Sequence, residues 1–235
     1  MPKQKVALMY VVFVVIALCM VIYTLYRFVY QTTVLFPPTL LINLDDRPDR
    51  LLEVQQDFNS WPVTVERVSA IKRKPGYKGC SLSHLKCIQI AKDRQYPWVL
   101  IIEDDCMLMN NAKERFQSIL PYLWNNKHKW DMFNGSVTLI EKHTIIDKQH
   151  KLFQVKGYAT NFYIVHNGVY DRLLNNHPVE PSEPIDVYYN KNFRTWTMVP
   201  YLAKQRPSRS DIEKGDKDYS EFFDKAETML TQSLV

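Results

Sequence analysis

The sequence predicts an α/β fold, one domain behind a single apolar N-terminal helix. Three observations point there. Unbroken apolar runs of strand length alternate with helical patterns, as expected of a sheet covered by helices on both faces. Acidic clusters stand directly behind two of those runs. A long uncharged segment opens the chain.

That segment, "VALMYVVFVVIALCMVIYTLY" from Val6 to Tyr26, carries no charge and matches the roughly 20 residues a helix needs to cross a bilayer. It lacks an A-x-A cleavage pattern, and Tyr23, Tyr26 and Tyr30 gather at its far end like an interfacial belt. The expectation is a cytoplasmic tip and transmembrane signal-anchor over 1–30, a linker over 31–39, and a folded domain over 40–235. Lys3 and Lys5 before the span, against Arg27 after it, favour a cytoplasmic N-terminus. The domain would then be lumenal, in an endoplasmic reticulum or Golgi-like compartment or an envelope-associated membrane.

Within the domain, "LLINL" (Leu40–Leu44) reads as the first strand, and Leu51, Leu52, Val54 and Phe58 as a helix after it. "VTVERV" alternates as a strand. "SLSHLKCIQIAKDR" places Leu82, Leu85, Ile88 and Ala91 at helical spacing, with Ser81 or Ser83 as N-cap. Trp98–Ile102 is the next buried strand. Ala112–Asn125 is a helix that Pro121 should kink or split. "DMFNGSV" reads as a strand, and "HTIIDKQHKLFQV" as a hairpin turning near Lys148–His150. "NFYIVH" is a strand, Val169–Leu174 and "IDVYYNKNF" are helices, "TWTMVPYL" is a last strand, and Tyr219–Leu230 a terminal helix.

The net charge of +5 is spread among acids, which argues against a nucleic-acid-binding stripe. Cys80 and Cys87 on one helix stand about 10 Å apart along its axis, too far to bridge. With neither a C-x-x-C nor a zinc spacing, the thiols read as free core residues. The sequon Asn134-Gly135-Ser136 falls inside the fold, where a glycan would not fit.

In such sheets ligands sit beyond the carboxyl ends of the strands. That is where Glu103, Asp104 and Asp105 fall, and likewise Asp45, Asp46 and Arg47. Hard carboxylate oxygens on a short turn suit Mg²⁺ or Mn²⁺ shared with substrate phosphates. Strand alternation lets Glu103 and Asp105 share a direction while Asp104 turns away, toward a cap; a solvated acidic turn is the plain alternative.

Five pieces together resemble glycosyltransferase family twenty-five, which includes lipooligosaccharide and procollagen galactosyltransferases. They are "LINLDDRPDR", "GCSLSHLKCIQIA", "WVLIIEDD", "PID" (Pro184–Asp186) and "SDI" (Ser210–Ile212), covering about Leu40 to Ile212. The resemblance implies a GT-A type, Rossmann-like nucleotide-binding fold. It also implies a metal-dependent inverting enzyme that moves a hexose, galactose first and glucose next, from a UDP-sugar to a hydroxyl of a glycan or protein acceptor. Glu103 and Asp105 would hold Mn²⁺ or Mg²⁺.

Asn43, Leu44, Arg47, Ser83, His84, Asp104, Gln205 and Asp211 would meet the donor. Arg47 offers its fork to phosphate or a uracil edge, whereas Arg50 could equally pair with a helix-surface acid. An inverting transfer needs a base. Asp186 is the first candidate, with helix capping its alternative role, and Asp131 and Asp211 follow. Two other readings stand beside this one. One is an inactive, membrane-anchored, glycosyltransferase-like binding protein. The other is a metal-dependent phosphohydrolase, for which the histidines (His84, His143, His150, His166, His177) show no ligand-like pair.

Overall fold

The computed structural model describes residues 12–25, 36–178, 180–211 and 215–235. Contacts divide the chain into two units, 1–36 and 37–235. In the first, residues 12–25 form an exposed helix. Among the described residues no helix is long and apolar enough to cross a membrane, which corrects the expected transmembrane anchor. The flanking parts of the expected span, 6–11 and Tyr26, lie outside the described residues.

The second unit is a mixed α/β domain. Its eight-stranded sheet has the order β2-β1-β3-β8-β5-β9-β7-β6. β1 (Thr39–Asn43) lies parallel to both β2 (Val65–Ser69) and β3 (Trp98–Glu103). α1 (Pro48–Asp57) joins β1 to β2, and α2 (Gly76–Asp93) carries the chain back across to β3. The chain therefore reverses its direction of travel at β1, and a ligand crevice is expected between the carboxyl ends of β1 and β3. The mixed half adds β5 (Met132–Asn134), the hairpin β6 (Thr138–Asp147) and β7 (Leu152–Tyr158), β8 (Phe162–His166) and β9 (Thr195–Met198).

Strand alternation sorts the core. Leu40, Ile42, Val99, Ile101, Tyr163 and Val165 pack against Cys87, Ile88 and Ala91 of α2, Val169, Tyr170 and Leu173 of α4 (Asn167–Asn176), and Tyr188 and Tyr189 of α5 (Ile185–Asn192). The intervening Leu41, Leu100 and Ile102 are equally buried. An aromatic series runs from Phe58 through Trp61 and Phe116, on α3 (Ala112–Asn125), to Phe162. α6 (Ser220–Gln232) places Phe223, Ala226 and Leu230 on Phe153 and Val155 of β7.

Three details depart from the sequence reading. α3 passes through Pro121 without a break. α2 begins at Gly76 rather than at Ser81 or Ser83; Ser83 is an interior residue whose hydroxyl donates to Gly79 O at 2.8 Å and accepts Ile71 N–H at 2.8 Å. The segment after β9 forms a further short strand, β10 (Ala203–Gln205), antiparallel to β4 (Cys106–Leu108). Near the end of the chain β11 (Ser208–Arg209) pairs with β12 (Asp216–Lys217). Asn134 of the sequon is buried and donates to Ala159 O at 2.9 Å, and among the described residues all cysteines are free.

Candidate active site

A cleft of about 800 Å³ opens at the carboxyl ends of β1 and β3. Alternation along β3 explains its floor. Glu103 follows Val99 and Ile101 onto the α2 side, and the next residue, Asp104, turns to the α1 side.

Asp104 is buried. Its Oδ1 accepts from Arg50 Nη1 and its Oδ2 from Asn43 Nδ2, both at 2.9 Å. Asn43 also donates to Arg47 O at 2.9 Å and accepts from Arg67 Nε at 2.8 Å. Arg50 reaches on to Ser208 Oγ at 2.6 Å and Arg209 O at 2.7 Å. This brace ties the β1–α1 loop, the β3 turn and the segment at 208–209 together. Arg50 is therefore not a helix-surface residue: it is the cation that meets the acidic triplet, and Asp104 is a brace rather than a helix cap. Burial raises the Asp104 pKa from its ordinary value, with Arg50 and Asn43 opposing.

Asp105 is also buried. Its Oδ2 accepts from Gln205 Nε2 at 2.8 Å, a contact made possible by the pairing of Gln205 with Cys106 in the β4–β10 ladder. Its Oδ1 has no hydrogen-bond partner. Burial, then the charges of Glu103 and Asp104, push the Asp105 carboxyl up to about 7. A buried carboxylate oxygen without a donor is costly and is the kind of atom a hard cation satisfies. Asp105 therefore fits the divalent metal that the family resemblance implies; Asp104, with both oxygens engaged, does not.

Glu103 accepts from Thr160 Oγ1 at 2.7 Å, and its Oε1 lies 3.4 Å from His84 Nε2. Burial works against its charge, but His84, Thr160 and Arg50 together hold its pKa below the usual glutamate value. His84 is fully buried, with Nδ1 2.9 Å from Tyr163 Oη.

The cleft rim is basic. Lys72, Arg73 and Lys74, in the loop before α2, line it together with Arg206 and Lys217. α2 starts at this loop without a side-chain N-cap, so its free N–H groups and dipole add positive potential. Gly79 permits the loop to lie close, because a Cβ there would stand 2.2 Å from Ile71 O.

Asn43, Leu44, Ser83, His84, Glu103, Asp104, Asp105, Gln205 and Asp211 all line the cleft. Arg47 stands beside it, bound to Asp49 at 3.0 Å and to Asp211 at 2.5 Å. Asp186 lies in the first turn of α5, its Oδ1 accepting the Val187 N–H at 2.8 Å. Burial raises its pKa, and the charges of Glu103 and His84 both act on it. Asp131 is placed elsewhere. It precedes β5, at the end of the sheet away from Glu103, where Met132 is level with Val165 and Trp98 with His166. There it is clamped by Arg172 at 2.8 Å and Arg194 at 3.1 Å, which removes it from the cleft.

Sequence reasoning missed the basic loop and the place of Cys80. "KRKPG" directly before a helix start was a readable sign of an anion-binding rim; the burial of Arg50 had no local sign.

Fold and site thus define an α/β domain whose cleft sets an acidic floor against a basic rim at a topological switch point. Residues 74–173 match the profile described as Glycosyltransferase family 25 (LPS biosynthesis protein). This segment contains α2, β3 and the acidic triplet. A "putative glycosyltransferase" of Haemophilus influenzae is 32% identical over 81 residues, 34% of this chain and 27% of that protein, so the match spans about a quarter of the relative. Among solved structures, a mannose-1-phosphate geranyltransferase from Thermus thermophilus gives a TM-score of 0.41 at 9% identity, over 69% of this chain and 59% of that one. A glycosyltransferase involved in the glycosylation of the major capsid of PBCV-1 gives 0.36 at 11%, over 59% and 63%.

Proposed function

We propose that the cleft binds a UDP-hexose, galactose before glucose, and transfers the sugar with inversion to a hydroxyl of a glycan or protein acceptor. The observation that carries this reading is the unpartnered, buried Oδ1 of Asp105 facing a basic rim, within a segment that matches a glycosyltransferase family profile. Breaking the sugar–phosphate bond leaves growing negative charge on the diphosphate. Cations fixed in place before the reaction stabilise that charge with little reorganisation. Lys72, Arg73, Lys74 and Arg206 are the side chains to receive it. Lys72 does so by exchanging its present partner Asp46, Arg73 by exchanging Glu180, and Arg206 by exchanging Glu53 and Asp57. The Arg50–Asp104 brace and Gln205 hold the Asp105 turn still. Asp105, with Glu103 beside it, would hold Mn²⁺ or Mg²⁺, which supplies Lewis-acid neutralisation of the leaving group.

Asp186 is the base that takes the acceptor proton in this reading. A carboxylate raised from its ordinary pKa by burial is a better base at neutral pH than a solvated one.

The test incubates the full chain with UDP-galactose or UDP-glucose, Mn²⁺ and a panel of acceptors. UDP release is expected. No release with any sugar nucleotide would favour the reading as an inactive binding protein. Asp105→Asn should weaken Mn²⁺-dependent UDP binding by about tenfold or more, roughly 1.4 kcal/mol, with the circular dichroism spectrum unchanged; equal affinity would remove Asp105 from the site. Asp186→Asn should leave donor affinity intact and lower kcat by about 10²–10⁴-fold. Loss of folded structure in that variant would instead assign Asp186 to the start of α5.

A further inference from the structure

The cleft floor gathers a second donor set, different in chemistry from Asp105. Cys80 and His84 are four residues apart on α2, so both leave the same helix face, and β3 delivers Glu103 to that face. One ligand atom from each of the three lies within 4.8 Å of the others. Two further contacts bear on a ligand. His84 is wholly buried, and its Nε2 stands 3.4 Å from Glu103 Oε1 without a hydrogen bond of proper geometry. Its other ring nitrogen is occupied by Tyr163 Oη at 2.9 Å, the outer-shell contact that aims a metal-binding imidazole.

We propose that Cys80, His84 and Glu103 bind one divalent cation of the zinc class, with the fourth coordination position open to the cleft. The donors select the ion. Thiolate and imidazole favour zinc over magnesium or manganese, which prefer oxygen. Three protein ligands with one open position is the arrangement of zinc sites that face a substrate pocket. Bond lengths of about 2.3 Å to sulfur and 2.0–2.1 Å to nitrogen put tetrahedral donors roughly 3.5 Å apart, so the three side chains draw together on binding. The Cys80 thiol gives its proton to solvent as it becomes a ligand. Cys80, His84 and Glu103 all line the cleft, which provides the entry path. Glu103 is shared with the Mn²⁺ or Mg²⁺ reading above, where Asp105 is the main ligand; the Cys80–His84–Glu103 site stands whether or not the chain transfers a sugar.

Cobalt is the probe, because a cobalt–thiolate bond absorbs in the near ultraviolet and a carboxylate-only site does not. Titrating Co²⁺ into the full chain without nucleotide should raise that absorption to saturation at one ion per chain, and Zn²⁺ should abolish it by displacement. Cys80→Ala should lose the absorption, while Asp105→Asn keeps it. Tyr163→Phe, which removes only the outer contact, should weaken Zn²⁺ binding by about 10–100-fold. Absence of the absorption in the unsubstituted chain would overturn the proposal, as would its survival in Cys80→Ala or an unchanged Zn²⁺ affinity in Tyr163→Phe.

Discussion

Arg50→Ala should be the most destabilising single change in the cleft, lowering the free energy of unfolding by about 3–5 kcal/mol, the usual result of removing one partner of a buried ion pair. Arg50 and Asp104 are 8% and 11% exposed at their side chains, so water offers the abandoned carboxylate little. The same change frees Ser208 Oγ and Arg209 O, and takes from Asp105 and Asp211 a guanidinium that stands 4.0 and 3.8 Å away. Urea denaturation of the two proteins measures the difference. A second signature separates lost charge pairing from lost packing. Without Arg50 the Asp104 carboxyl can escape its predicament only by taking a proton. The gap between variant and parent should therefore narrow as pH falls and widen as it rises. In a double-mutant cycle with Asp104→Asn, the coupling should reach about 0.5–3 kcal/mol. A loss below 1 kcal/mol, or a gap that ignores pH, would show that the brace is not what holds the turn.

The parts of this fold that could be read in the sequence are those whose burial is continuous along the chain. β1 and β3 are covered on both faces, so "LLINL" and "WVLII" announce themselves, and the acids behind them mark the carboxyl edge. β4 and β10 are three residues each and carry no period to detect, yet their pairing is what brings Gln205 to Asp105. Arg50 sits in "RPDR", where a helix start gives no reason to suspect burial, because Asp104 and Ser208 come from distant parts of the chain. Cys80 reads as a core thiol for the same reason. Its spacing to His84 is local, but the third donor, Glu103, arrives from the next strand and only the fold supplies it. The apolar opening segment shows the opposite case, a local pattern clear enough to suggest a membrane span, while among the described residues no helix is long and apolar enough to cross a membrane.

The pH dependence of stability should carry the mark of Asp105. Its carboxyl is pushed up to about 7 by burial, then by the charges of Glu103 and Asp104, with Arg50 and Gln205 opposing. The unfolded chain titrates this group near the ordinary value of 3.8. Between those two values the folded chain holds a proton that the unfolded chain has released. Stability from this group is thus complete below pH 3.8 and is lost as pH rises through about 7, a total on the order of 4 kcal/mol at most. Asp104, also raised, slopes the same way, and Glu103, lowered, slopes the other. The informative quantity is therefore the parent chain minus Asp105→Asn, measured by urea unfolding from about pH 4.5 to 8. That difference should fall steadily with pH, because asparagine satisfies the pocket at every pH without a charge. Mn²⁺ should act in the opposite sense. A cation needs the ionised carboxylate, so its affinity should climb through pH 7, and at a hundredfold excess over Kd it should return about 2.7 kcal/mol to the folded state. Parallel curves for parent and variant, together with Mn²⁺ affinity that is flat in pH, would mean that Asp105 is already ionised and paired in solution. The acidic floor of the cleft would then have no vacant carboxylate to offer a metal.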